Sequence, residues 1–220
     1  KDGCVGSRSS HQFMYNHAIA TYALTEAVAS LEKDGDVYKE GEKLKLASKK
    51  AVDFLVESQN PGEGWRYTFR SGDNDSSVTG WGITALASAK KVGIEVPPDS
   101  FKDAINWFNK VTNPKSKRTG YTHTDTGRVY VPGLNERFEP HDTLTAAACL
   151  GRILYDPKAK KTELVKKGME LVLKDLPRWE ANEIDYYYWY YASAFLANCQ
   201  KKLPRAWEKW KKKPWKRTRT

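Results

Sequence analysis

Four segments of the chain share one pattern of apolar, small and polar positions. Each is rich in Ala, Thr, Ser and aromatic residues and carries few charges, which is typical of a helix buried on most of its surface. They align without gaps, and each ends in Leu: Phe13–Leu24, Asp75–Leu86, Glu139–Leu150 and Asp185–Leu196. The repetition predicts four inner helices of a repeat protein.

More amphipathic stretches lie between these segments, at residues 43–58, 99–110 and 162–174. Their Lys and Glu positions alternate with Leu, Val, Phe and Ile at helical spacing, so they predict outer helices with one face in water. A further outer helix begins near Pro204. Helices of these two kinds cannot bury their apolar faces singly and must stack side by side.

The predicted class is therefore all-α, with about eight helices arranged as hairpins. One exception is a small β-hairpin near residues 121–131. In it, Tyr121–Thr124 would pair with Arg128–Val131 around the turn Asp125-Thr126-Gly127.

One segment resembles a known repeat in detail. It runs from Lys50 to Trp65 (KAVDFLVESQNPGEGW) and ends in Gln59, two glycines and Trp65. This is similar to the QW repeat of squalene-hopene and oxidosqualene cyclases, and the run DSSVTGW after it resembles the helix that follows such repeats. The physical roles suit the spacing, because Gln59 can bond loose carbonyls at a helix end and Trp65 can cover the junction.

The resemblance to the squalene-cyclase and prenyltransferase repeat superfamily implies an (α/α) toroid. In that family six hairpins close around a cavity lined by parallel inner helices. Only about three and a half to four hairpins are visible here. The resemblance therefore implies an incomplete toroid, which is either open or completed by missing chain or a second subunit.

Acidic residues recur where the inner helices begin. The repeat alignment places Asp75, Glu139 and Asp185 in the same starting position, with Asp73 and Asp142 nearby. Parallel inner helices would bring these residues to one mouth, so the sequence predicts a ring of carboxylates there. Acids at helix N-termini also accept free N–H groups and complement the helix dipole, and for each single residue this capping role has the greater weight.

The resemblance also implies a chemistry. Asp73-Asn74-Asp75-Ser76-Ser77 is similar to the Asp-x-Asp-Asp-Thr proton-donor motif of squalene-hopene-type cyclases, with Ser76 where the family has an Asp. It implies catalytic roles for Asp75 and Asp73 in a terpene-cyclase-like isomerisation. Carbocations also need aromatic faces and a dry cavity. The candidate ligand-binding residues are Tyr15, Tyr22, Trp81, Glu139, Asp142, Asp185, Tyr187, Tyr188 and Tyr191.

The sequence predicts neither a metal nor another cofactor. The prenyltransferase branch of the superfamily binds zinc through Asp, Cys and His on inner helices. Here His141, Asp142 and Cys149 come from one helix start and do not reproduce that spacing. The three cysteines also lack a Cys-x-x-Cys pair.

The net charge of +10 belongs mainly to one end of the chain. Residues 201–220 hold ten Lys or Arg and one Glu, which leaves 27 basic and 26 acidic residues elsewhere. The sequence predicts one domain at residues 1–203 and a basic, Trp-containing tail at 204–220. Trp beside Lys and Arg suits an anionic surface or a membrane interface. The alternative for the tail is another outer helix followed by solvated basic residues.

Three functions remain open from the sequence. The first is a repeat domain that binds an apolar small molecule in a central aromatic cavity, with cyclase-like chemistry as an extension. The second is a noncatalytic scaffold or protein-binding module. The third is a carbohydrate-active toroid, a polysaccharide lyase or hydrolase, whose cleft would use Arg66, Tyr67, Arg70, Trp81 and Asp75.

Overall fold

The computed structural model describes residues 2–33, 39–127, 142–177, 179, 184–201 and 203–212. The described residues form eight α-helices, and a 3₁₀ turn at Pro157–Lys161 joins two of them. The helices are α1 Phe13–Lys33, α2 Lys39–Glu57, α3 Ser76–Lys91, α4 Pro98–Lys110, α5 Asp142–Tyr155, α6 Glu163–Val172, α7 Tyr186–Cys199 and α8 Pro204–Lys211. The predicted all-α class is confirmed. Within this part of the chain no helix has the length and apolarity needed to cross a bilayer.

The chain divides into two compact units, Lys1–Asn109 and Lys110–Thr220. We call them the N-terminal and C-terminal units. The first contains α1 to α3 and almost all of α4, and the second contains α5 to α8. This division does not test the single domain predicted at residues 1–203, which stays a prediction.

In the N-terminal unit the two inner helices run parallel. Near their starts the Tyr15 hydroxyl lies 3.1 Å from Ser77 Oγ. Toward their ends Ser88 donates a hydrogen bond to the Glu26 carboxylate. Because these contacts advance in the same direction along α1 and α3, the helices point the same way. The hairpin partner α2 runs back along α1, so that Ala51 near its end meets His17 near the start of α1.

The segment that resembles a QW repeat ties the end of α2 to the start of α3. Gln59 donates hydrogen bonds to the carbonyls of Glu63 and Ser100, at 2.8 and 2.9 Å. The Trp65 indole is fully buried and donates to the Leu55 carbonyl at 2.8 Å. A Cβ added to Gly82 would lie 2.9 Å from the Trp65 ring, so this glycine lets α3 approach the indole closely. The segment therefore serves as a junction between an outer and an inner helix.

In the C-terminal unit α6 and α7 both pack on α5, and α8 returns along α7. The Tyr188 hydroxyl, near the start of α7, donates to the carbonyls of Val172 and Asp175 after α6. The indole Nε1 of Trp210 donates to Ser193 Oγ at 2.9 Å. Trp210 is buried, so α8 is a docked outer helix. Part of the segment predicted as a basic tail is thus packed structure.

The prediction of a β-hairpin is wrong for its first half. Residues Tyr121–Gly127 form turns and irregular backbone without a strand. The reason lies in Thr126, whose Oγ1 accepts the backbone N–H groups of Tyr121, Thr122 and His123 at 2.8 to 3.3 Å. These are donors that a hairpin ladder would need, and a side chain within the loop takes them instead. The second half, Arg128–Val131, lies outside the described residues.

Candidate functional site

The C-terminal unit carries an open, apolar groove of about 800 Å³ along α7 and α8. We call it the aromatic groove. Its lining consists of Pro177, Trp179, Tyr186, Trp189, Tyr190, Ser193, Ala194, Ala197, Trp207, Trp210 and Lys211. A site of this size and composition falls within the range of pockets that hold small molecules.

The groove exists because α7 is apolar on two opposite faces. One face packs into the unit and is buried: Tyr188, Tyr191, Ala192, Phe195, Leu196 and Cys199. The other face supplies a stripe at helical spacing: Tyr186, Trp189, Tyr190, Ser193, Ala194 and Ala197. A helix that is apolar all round is normally covered on every side. Within the described part of the chain, α8 covers the second face only in part.

Three rings at one end of the groove hold each other in place. The Trp189 ring lies 5.0 Å from the Trp179 ring and 5.5 Å from the Tyr186 ring, both edge to face. Such pairs stabilise by about 0.5–1.5 kcal/mol beyond the area they bury. Trp179 remains 42% and Tyr186 66% exposed. The rings therefore form a preorganised apolar wall that still faces solvent.

The wall contributed by α8 rests on Trp210. This indole is 1% exposed and meets the Tyr188 ring edge to face at 5.8 Å. Trp207, one turn earlier, is half-buried and lines the groove. Lys211 stands at the rim with its ammonium 2.6 Å from the Glu208 carboxylate. The groove thus combines an apolar lining with a cationic edge.

The two predicted catalytic residues lie in the N-terminal unit. Asp75 is fully buried and caps α3, since its Oδ1 accepts the N–H groups of Ser77 and Val78 at 2.8 and 2.7 Å. The Arg66 Nε lies 3.9 Å from Asp75 Oδ2. The other residue, Asp73, is half-exposed and pairs with the same guanidinium. Both carboxylates thus have contacts that account for their presence structurally.

The predicted carboxylates of the C-terminal unit also lie at helix starts. Asp185 caps α7 by accepting the Tyr188 N–H at 2.9 Å. Asp142 begins α5, and its Oδ1 lies 3.1 Å from the Arg118 Nε. Burial raises the pKa of the Asp142 carboxyl, and the Arg118 charge partly offsets that rise. Glu139 lies outside the described residues.

The predicted aromatic residues fall into separate groups. In the N-terminal unit Tyr15, Tyr22 and Trp81 are half-buried along the α1 and α3 pair, with the Tyr22 and Trp81 rings 6.3 Å apart. In the C-terminal unit Tyr188 and Tyr191 are buried on the face of α7 away from the groove. The Tyr187 ring packs against Tyr191 at 5.2 Å. None of these residues lines the aromatic groove.

Sequence reasoning missed the residues that do line it. The signal was present in the spacing of 186, 189, 190, 193, 194 and 197, which marks one stripe of a helix. It was hidden because the opposite stripe is equally apolar. The contribution of Trp179, which precedes α7 in the chain, has no such signal, since it follows from tertiary packing.

A smaller polar cavity of about 390 Å³ lies in the N-terminal unit. We call it the polar cavity. Its lining is His11, Arg66, Tyr67, Thr68, Ser71 and Asp73. The Arg66 guanidinium lies over the Tyr67 ring, 5.3 Å from its centre. The cavity includes two of the five residues named for a carbohydrate cleft, whereas Arg70, Trp81 and Asp75 do not line it.

Two further features bear on chemistry. In the described residues no group of three or more His, Cys, Asp or Glu side chains is placed to hold a metal ion. Burial raises the pKa of the Cys149 thiol to about 12 and that of Cys199 to about 11. Both therefore stay protonated near neutral pH and are poor nucleophiles.

Comparisons with known proteins add no assignment. No protein-family model matches the chain, and neither the curated proteins nor the solved structures include a significant match.

Proposed function

We propose that this chain is a ligand-binding repeat domain of the squalene-cyclase and prenyltransferase type, and that its aromatic groove holds an apolar small molecule. The observation that carries the proposal is the groove itself. It offers about 800 Å³ lined by aromatic and small side chains. An apolar molecule that enters it removes exposed rings such as Trp179 and Tyr186 from water, which is favourable in proportion to the apolar area covered.

The repeat type is supported by the local architecture. Inner and outer helices alternate, α1 and α3 run parallel, and Gln59 and Trp65 make the junction contacts that a QW-like segment requires. As part of the proposal, the hairpins belong to an (α/α) toroid. Further chain or a second subunit would complete its ring.

We propose ligand binding rather than cyclisation because of the surroundings of Asp75. Its Oδ1 accepts two backbone N–H groups at the start of α3, and the Arg66 Nε lies 3.9 Å from its Oδ2. The contacts of Asp75 therefore support a cap that orders the start of α3.

Farnesol binding tests the proposal directly. The groove contains Trp179, Trp189, Trp207 and Trp210, so a bound molecule should change the tryptophan emission. We expect saturable binding of farnesol to the full chain, measured by fluorescence and confirmed by isothermal titration calorimetry. Ala194→Trp should weaken this binding by about tenfold or more, because an indole on the groove floor occupies the space of the ligand.

The matched control is Ala27→Trp, the same substitution at an exposed position of α1. It should leave the farnesol affinity within about twofold, since it lies in the N-terminal unit. Circular dichroism should show both variants folded. Equal affinities for Ala194→Trp and wild type would remove the aromatic groove as the binding site.

A further inference from the structure

The aromatic groove carries one cationic residue between two apolar ends. Helices α7 and α8 run antiparallel, with Leu203 bonded to the Cys199 carbonyl at the turn and Trp210 to Ser193 further along. One end, near the turn, is therefore lined by Ala197 and Trp207. The other end is lined by Tyr186 and Trp189, and the rim residue Lys211, next to Trp210, lies between the two ends near the level of Ser193. The positive charge therefore lies at the rim between two apolar ends.

The charge on Lys211 is accessible to a ligand. Its side chain is 45% exposed, and that of its ion-pair partner Glu208 is 48% exposed. Ion pairs between exposed side chains contribute about 0–1 kcal/mol, so an incoming anion can compete for the ammonium. The other described cations near it, Arg205 and Lys209 of α8 and Lys212 just after the helix, line a different cavity. Lys211 is thus the α8 cation that lines the groove.

Resting on the proposed function, we infer that the groove takes a free single-chain amphiphile with an anionic head, of which a fatty acid is the simplest case. The carboxylate lies at Lys211 and the chain extends over Ala194 toward Ala197. At about 1.5 Å per residue, the stripe from Tyr186 to Ala197 is about 16 Å long, which is the apolar length available on the two sides of Lys211 together.

The shape of the groove favours a molecule in solution over a bilayer. The apolar side chains of α8, Trp207 and Trp210, line a concave groove beside α7. The exposed positions of the helix include Arg205, Glu208 and Lys209. A helix that lies on a membrane presents its apolar face outward. Here that face is directed into the unit, so we commit to the free molecule.

The test compares dodecanoate with dodecanol on the full chain at pH 7.5, below the concentration at which dodecanoate forms micelles. The neutral alcohol reports on the groove alone, and the anion adds the head group. We expect dodecanoate to bind about fivefold more tightly, the size of one exposed charge contact. Lys211→Gln should remove this difference, and Glu208→Gln should enlarge it because the competing carboxylate is gone.

Lys212→Gln is the matched control, since it removes the same charge one residue away and outside the groove. It should preserve the preference for dodecanoate. Equal affinity for the two ligands, or equal loss in both lysine variants, would overturn the head-group site while dodecanol binding still upheld the proposed function. Failure of both ligands to bind would instead remove the proposed function.

A further arm of the experiment uses vesicles and distinguishes a free fatty acid from one presented in a membrane. Binding of dodecanoate only when it is presented in phosphatidylcholine vesicles, with no binding of the free acid, would overturn the inference in favour of a membrane surface. Binding of the free acid that Ala194→Trp abolishes supports it.

Discussion

At the scale of single residues, polar side chains of the inner helices are held by the backbone around them. Asp75 accepts two N–H groups at the start of α3, and Asp185 accepts one at the start of α7. His17 joins two segments, because its Nδ1 accepts the Val5 N–H and its Nε2 donates to the Ala51 carbonyl, both at 3.0 Å. These contacts explain why polar residues tolerate burial here.

Substitution of Asp75 tests the capping role. Asp75→Ala removes the acceptor for two N–H groups and should lower the free energy of unfolding by about 1–2 kcal/mol, whereas Asp75→Asn retains an acceptor and should lose less. Urea denaturation followed by circular dichroism measures both. Asp99→Ala, at an exposed acid in the first turn of α4, is the control and should change stability by less than about 0.5 kcal/mol.

The cyclase hypothesis makes the opposite claim for Asp75. If wild-type protein cyclises squalene and Asp75→Asn abolishes the product without loss of stability, Asp75 is a proton donor rather than only a cap.

Acid should weaken the fold through His17. Burial lowers the pKa of His17 from 6.5 to about 4, with smaller opposing effects of the Ala51 carbonyl and Asp2. The folded-state pKa lies below the unfolded value, so between these pH values the unfolded chain binds the proton more readily. The contribution is fully present above pH 6.5 and is lost as the pH falls toward 4, with a total of about 3 kcal/mol.

The measurement is the free energy of unfolding of wild type and His17→Gln from pH 7 to 4. Glutamine does not titrate, so the variant should lose stability less steeply over this range. Carboxylates titrate in both proteins, so their contribution to the pH dependence of stability cancels in the comparison. Identical slopes would show that His17 does not control acid stability.

At the scale of helices, the periodicity of apolar positions predicted which segments are helical. It predicted burial at most positions correctly for α3 and α5, whereas α1 and α7 keep many positions partly exposed. The inner helix α5 is buried at almost every position, and the outer helices α4 and α6 bury one face. In the loop at residues 121–127, a side chain decides the backbone conformation instead. There, one threonine hydroxyl captures three N–H groups and prevents the strand that local propensity favours.

The docking of α8 should depend on Trp210. Trp210→Ala removes a buried indole, its hydrogen bond to Ser193 and its contact with Tyr188, at a cost of about 3–5 kcal/mol in a core position. Because α8 is the last described helix, we expect the variant to lose stability by local detachment of α8 from α7. Faster amide hydrogen exchange in α8 would show this detachment. Trp207→Ala, which removes a half-buried groove residue, should leave α8 exchange nearly unchanged. Equal exchange in the two variants would contradict the anchoring role of Trp210.

At the scale of the whole molecule, composition identified the basic end of the chain but not its structure. Ten of the 37 basic residues fall in the last twenty positions, which suggests a solvated tail. Within that segment Pro204–Lys211 is a helix with Trp210 in the core and a lysine at the rim of a groove. The division into two compact units is likewise a property of contacts between helices, which composition does not contain.

The sequence alone determined the all-α class, the main helical segments and the positions of the helix-capping residues Asp75 and Asp185. These properties depend on spacing along the chain, since a period of 3.6 residues and a capping carboxylate act within one or two turns. Tertiary structure alone decided which face of α7 is buried and which lines the groove. That choice depends on the packing of Trp179 and Trp210 against α7, and their contacts join residues that local periodicity does not connect.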